Sequence, residues 1–91
     1  MAKELWGDKL KWEKLLGLLK SQECKCPYSG TELVVGENAS IDHIVPRSKG
    51  GTNEINNLQW VDAYVNWMKK DRPEDEFLSL VKKIAEYRRL I

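Results

Sequence analysis

The sequence predicts an α+β domain, in which a short antiparallel hairpin and one helix form a core flanked by N- and C-terminal helices. Three observations predict it. Apolar residues recur at helical spacing near both ends of the chain. Short β-prone segments separated by Gly, Pro and Asn signals lie between them. Polar side chains suited to hard-metal and proton chemistry gather in the middle.

Residues 8–22 place Trp12, Leu15, Leu16 and Leu19 at helical spacing and predict an amphipathic helix. Pro27-Tyr28-Ser29-Gly30 reads as a turn, Glu32-Leu33-Val34-Val35 as a first strand, and Gly36-Glu37-Asn38 as the connection to a second strand over residues 39–44. Lys49-Gly50-Gly51-Thr52-Asn53 is a polar loop with two residues suited to positive φ. Residues 58–70 predict a helix with Val61, Val65 and Met68 on one face, and Asp62, Asn66, Lys69 and Lys70 turned outward opposite them. Pro73 suits the first position of a last helix, with Glu74, Asp75 and Glu76 at its positive dipole end and basic residues toward its other end. Its Phe77, Leu80, Val81, Ile84 and Tyr87 stripe is expected to pack on the first helix. The tryptophans, leucines and other aromatics of the flanking helices are expected to be core, with Trp67 set apart because it neighbours Asn66 and is open to a ligand contact instead.

Composition narrows the classes. The 91 residues make one domain, 1–91, of a size that buries about 60–65% of its unfolded surface. Charged residues are 32% and no apolar run approaches a membrane span, so neither a disordered tail nor a membrane protein is expected. The N-terminus is too charged for a secretory signal, which predicts a cytoplasmic protein. Fifteen basic residues against 14 acidic leave a net charge of +1. That balance argues against tight nucleic-acid binding by the domain alone, because phosphate neutralisation supplies most non-specific affinity. It allows local basic clusters or a partner that brings the nucleic acid.

The chemistry-bearing segment is Ile41-Asp42-His43-Ile44-Val45-Pro46, which holds the chain's only histidine. Asn57 follows fourteen residues later, Asn66 nine after that, and Lys69 three beyond. This order resembles the HNH endonuclease family (the ββα-metal nucleases), in a variant with asparagine at the third motif position. The resemblance covers about residues 26–70. The Cys26-Pro27-Tyr28-Ser29-Gly30 turn and the Asn57–Asn66 spacing look like the HNH domain of RNA-guided CRISPR effector nucleases. Gly50-Gly51-Thr52-Asn53 looks more like free-standing phage and restriction HNH enzymes, and the start at Met1 favours a free-standing, bacterial or phage-encoded protein.

The resemblance implies a metal-dependent DNA endonuclease, with RNA left open as a substrate, that leaves 5′-phosphate and 3′-hydroxyl ends. His43 would be the general base, a role for which imidazole is suited because it titrates near neutrality. Asp42 and Asn66 would hold one Mg²⁺, with Mn²⁺ able to replace it. Two protein oxygens plus waters and a phosphate make an ordinary Mg²⁺ shell. Asn57 would bond the backbone of the His43 loop, although an asparagine near a helix start also reads as an N-cap. Lys69 would contact the scissile or adjacent phosphate, and Arg47, Lys49 and Lys70 would contact the nucleic-acid backbone. One site cuts one strand, so a homodimer or a partner protein would supply double-strand cutting or specificity.

Many HNH nucleases carry two C-x-x-C pairs around a structural zinc. The corresponding segments here are Cys26-Pro27-Tyr28-Ser29 and Asp62-Ala63-Tyr64-Val65, with one thiol between them, and Cys24 lies outside the pattern. No structural zinc is expected, nor a disulfide, since closing C-x-C would be strained. Two other readings compete: a non-catalytic nucleic-acid-binding or assembly module on the same scaffold, supported by the near-zero charge, and a toxin nuclease with a cognate inhibitor.

Overall fold

The computed structural model describes residues 9–91, so Asp8, placed above in the first helix, lies outside the described residues. Helix α1 (Lys9–Ser21) leads to a turn region. Strands β1 (Ala39–His43) and β2 (Leu58–Asp62), helix α2 (Ala63–Lys69) and helix α3 (Glu74–Tyr87) follow. The two strands pair antiparallel, with Asp42 opposite Gln59 and His43 opposite Leu58. Helix α2 starts directly from the end of β2 and lies against the hairpin, giving a ββα core with a helix on each side.

The core is small. Leu15 and Leu19 of α1 meet Cys26, Leu33, Leu58, Trp60 and Val61, with Trp12, Leu18, Ile41 and Val65 partly buried around them. Trp60 anchors the set. Its ring meets Trp12 edge-on at 6.2 Å, and its indole Nε1–H donates to the Leu15 carbonyl at 2.7 Å. That bond satisfies the one polar group the indole carries into the core. Gln22 runs beside β2 as a substitute strand: its Oε1 accepts from Trp60 N at 2.9 Å and its Nε2 donates to Trp60 O at 2.9 Å.

Three elements differ from the sequence reading. Residues 32–35 do not form the hairpin strand. Glu32 makes an isolated bridge with Lys25, and Leu33 N donates to Cys24 O at 2.7 Å. Asn38 then curls the chain, its Oδ1 accepting from Val34 N and its Nδ2 donating to Glu32 O. Those bonds use backbone groups that a ladder would need. The segment 58–70 is not one helix, because its first five residues are β2. Trp60 and Val61 are β-favouring, and Asp62 caps α2 by accepting from Tyr64 N at 2.8 Å.

The stripe on α3 is not a core face against α1. Phe77 alone is buried there, edge-on to Tyr28 at 5.5 Å, while Leu80, Val81, Ile84 and Tyr87 are exposed. Pro73 immediately precedes α3, and Arg88 and Arg89 lie just past its end. Both cysteines are free, Cys24 exposed and Cys26 buried. Burial pushes the Cys26 thiol up, but hydrogen bonds from the Asp62 backbone and from Ser29 and Tyr28 outweigh it, and its pKa lies below the ordinary value.

Gly50 and Gly51 serve different purposes. Gly50 sits at φ 90° after the helical turn Arg47–Lys49. Gly51 needs space instead: a Cβ there would lie 1.7 Å from the Val45 carbonyl oxygen. A Gly51→Ala variant should therefore lose about 3 kcal/mol, the upper end of ordinary overpacking penalties, and displace the His43 loop. Gly17, exposed in α1 with nothing within 4 Å of its Cβ position, provides the contrast, and Gly17→Ala should gain about 0.5–1 kcal/mol. Urea denaturation of both variants checks the pair, and equal midpoints would refute the assignment.

Candidate active site

The site forms where β1 ends, α2 crosses and the 44–57 loop returns. Asp42, His43 and Asn66 line one cavity of about 330 Å³ with Ile41, Pro46, Arg47, Ser48, Lys70 and Asp71. The hairpin register places Asp42 on the face that α2 covers, and Asn66 and Lys69, one turn apart on α2, both reach that face.

Asp42 is only 3% exposed and is held from two sides. Lys69 Nζ donates to its Oδ1 at 3.1 Å and Gln59 Nε2 to its Oδ2 at 2.9 Å. Gln59 Nε2 also donates to Tyr28 Oη at 2.8 Å, and that hydroxyl donates to Glu74 Oε1 at 2.9 Å. Burial pushes the Tyr28 phenol far above its ordinary pKa; the Gln59 bond opposes that shift, and the Glu74 bond and charge add to it. Tyr28 therefore stays a proton donor, and a polar chain links the start of α3 to the site carboxylate.

Lys69 departs most from expectation. The sequence reading turns it outward toward a phosphate. The structure buries it completely, with Nζ on Asp42 Oδ1 and on the His43 carbonyl at 3.2 Å. The reading assumed a helix starting at residue 58. With α2 starting at Ala63 and lying across the hairpin, position 69 meets the sheet. A buried carboxylate needs a compensating cation, and Lys69 supplies it.

The loop after His43 is clamped by Asn57. Its Oδ1 accepts from Val45 N at 2.9 Å, and its Nδ2 donates to Val45 O at 3.0 Å and Thr52 O at 2.8 Å. No helix starts at Asn57; it closes a short helical turn, Ile55–Asn57, before β2. The His43 ring pairs through Nε2 with Asn53 Oδ1 at 2.7 Å. With that oxygen accepting, Nε2 carries a proton, and in the neutral ring Nδ1 then keeps the lone pair. Asn66 uses its Nδ2 on Ser40 Oγ at 3.0 Å and Ile41 O at 3.1 Å. Arg47, Lys49 and Lys70 are exposed, Arg47 and Lys70 on the cavity wall and Lys49 outside it. Lys70 ends α2 at φ 53°, ψ −127°, a conformation that costs on the order of 1–3 kcal/mol away from glycine.

A protein-family model described as HNH endonuclease matches residues 26–73, more than half of the chain. The chain belongs to the HNH endonuclease family. Membership implies a nuclease that acts on nucleic acid with a divalent metal. No curated protein matches the chain.

HNH chemistry needs a cation site, and the donor set can be tested for one. Among the described residues no cluster of three or more His, Cys, Asp or Glu side chains could hold a metal. A site here must rest on fewer carboxylates and on neutral oxygen. Each Asp42 oxygen accepts one hydrogen bond, leaving lone pairs unused, and both hydrogen bonds of the Asn66 amide come from its nitrogen. Those are hard oxygen donors on one cavity, compatible with Mg²⁺.

Sequence reasoning missed Asn53, Gln59 and Tyr28. None of the three carried a local signal, because Gln59 reaches Asp42 only through the hairpin register. Because Lys69 and Asp42 form a buried pair, Lys69→Met should cost about 3–5 kcal/mol by leaving the carboxylate uncompensated. Adding Asp42→Asn should recover most of that loss. Chemical denaturation checks both, and a single-variant loss under about 1 kcal/mol would contradict the pairing argument.

Proposed function

We propose that this HNH protein is a Mg²⁺-dependent DNA endonuclease, cutting one strand per site to leave 5′-phosphate and 3′-hydroxyl ends. The observation that carries the reading is the convergence of Asp42, His43 and Asn66 on one cavity. The His43 contact to Asn53 further supports it, because it engages Nε2 and leaves Nδ1 as the ring nitrogen for a water.

His43 Nδ1 takes the proton of the attacking water, and Asn53 holds the ring in the tautomer that can do so. Asn57 fixes the loop that carries His43. Asp42 and Asn66 are the residues to hold the cation, which when bound stabilises charge on the phosphate and the departing oxygen. Lys69 is a positioning residue: it holds Asp42 in place and limits the negative charge of the pocket. Arg47, Lys49 and Lys70, all exposed, supply contacts to flanking phosphates. With a net charge of +1, the domain binds weakly alone, and a second copy or a partner protein supplies specificity and double-strand cutting. No helix among the described residues is long and apolar enough to cross a membrane.

The test is conversion of supercoiled plasmid by the purified protein with Mg²⁺, with EDTA, and with His43→Ala. Nicked circles should appear before linear product, require Mg²⁺, and fall at least about 100-fold with His43→Ala, the lower range for loss of a general base. Cleavage at an unchanged rate by His43→Ala would remove the assigned base. No cleavage from folded protein with Mg²⁺ or Mn²⁺ would leave a binding module as the better reading.

A further inference from the structure

Two large aromatic side chains stand in solvent on the helix that carries Asn66. Tyr64 is 79% and Trp67 71% exposed, one turn apart on α2. Neither serves the fold, since the core lies on the other side of the helix around Val61 and Val65. Ala63, Tyr64 and Trp67 line an apolar cavity of about 380 Å³. Ser40, Ala63, Asn66, Trp67 and Lys70 line a second of about 420 Å³. The second shares Asn66 and Lys70 with the cavity of Asp42 and His43, and Ala63 and Trp67 with the aromatic one. Through these shared walls the three cavities adjoin as a trough between the candidate active site and the indole.

The lysine beside the indole favours nucleic acid over a protein occupant, with Asp71 the one carboxylate on the site cavity that no lysine pairs among the described residues, as Lys69 pairs Asp42. Lys70 Nζ lies 5.2 Å from the Trp67 ring centroid and also borders the site cavity, with Arg47 farther along the same wall. An ammonium between an indole and a phosphodiester site can neutralise a phosphate while the ring meets the neighbouring base.

We propose that Trp67 is a stacking platform for an unpaired nucleobase next to the scissile phosphate, so that the substrate class is single-stranded or locally unpaired nucleic acid. This rests on the nuclease reading above. Bases in an intact duplex already cover one another's faces, and an exposed indole gains little from them. An unpaired base offers a free π-face, and stacking on it is tolerant of sequence. The reading agrees with the near-neutral charge, because stacking adds affinity that phosphate contacts alone do not supply here.

The experiment measures fluorescence anisotropy with labelled oligonucleotides of about 12 nucleotides, within the range of single-strand site sizes, in EDTA and in the His43→Ala background. Three probes are compared: a single strand, the same length with abasic positions, and a fully paired duplex. Trp67→Ala should weaken single-strand binding about 5- to 150-fold and leave the other two within about twofold. Trp67→Phe should retain most of the affinity, whereas Trp67→Leu, apolar without a π-face, should behave as alanine does. Equal loss on all three probes, no loss on any, or no binding by the Trp67-intact protein would overturn the proposal. Cleavage of the single-strand probe and of plasmid by the His43-intact protein in Mg²⁺ is scored in parallel. Cleavage with Trp67-independent binding removes the stacking role alone, and Trp67-dependent strand binding without cleavage removes the nuclease reading alone.

Discussion

The structure depends on burying one carboxylate. Asp42 is almost fully enclosed, and an ion in that position is tolerated only when its charge is met by well-placed partners. The partners come from separate parts of the chain: Lys69 from α2, Gln59 from β2, and through Gln59 the Tyr28 turn and Glu74 at the start of α3. The Lys69 bond holds α2 against the first strand of the hairpin. In a domain too small for a large apolar core, this polar chain connects elements that hydrophobic contact joins only sparsely.

The same carboxylate is the natural anchor for a cation, so stability and function draw on one group. Lys69 lets the negative charge persist inside the fold without a metal, and its bond to the His43 carbonyl ties that arrangement to the neighbouring residue. Asn57 does the complementary work on the other side of His43, meeting backbone groups that an irregular loop would leave unpaired. His43 is thus carried between a buried ion pair and an amide clamp. A ring whose orientation matters is set on rigid supports on both sides.

Much of this was legible in the chain, and the failures have identifiable causes. The period of Leu15 and Leu19 marked α1, and the Asp42-His43 pair with Asn57 and Asn66 marked the family and the cluster of polar groups. The β2 error arose because Val61, Val65 and Met68 also fit a helical spacing, and short apolar runs do not distinguish the two periods. Asp62 was the overlooked boundary, as it is better placed as a cap than inside a helix. Moving the helix start by five residues turned Lys69 from a surface cation into a buried one. The α3 stripe was misassigned for a different reason: amphipathic spacing marks an apolar face but does not name what covers it, and here Phe77 alone is buried.

By itself the sequence determined the α+β class, the flanking helices, the family motif and the residue types available for phosphodiester chemistry. Spacing and residue chemistry are local properties, and they survive any error in strand pairing. Only the tertiary structure decided the hairpin partners, the burial of Lys69, the Asn53 contact to His43 and the course of the trough toward Trp67. Each of these depends on distances between residues far apart in the chain, such as Asp42 and Lys69. Register and helix placement set those distances, and no local pattern encodes them.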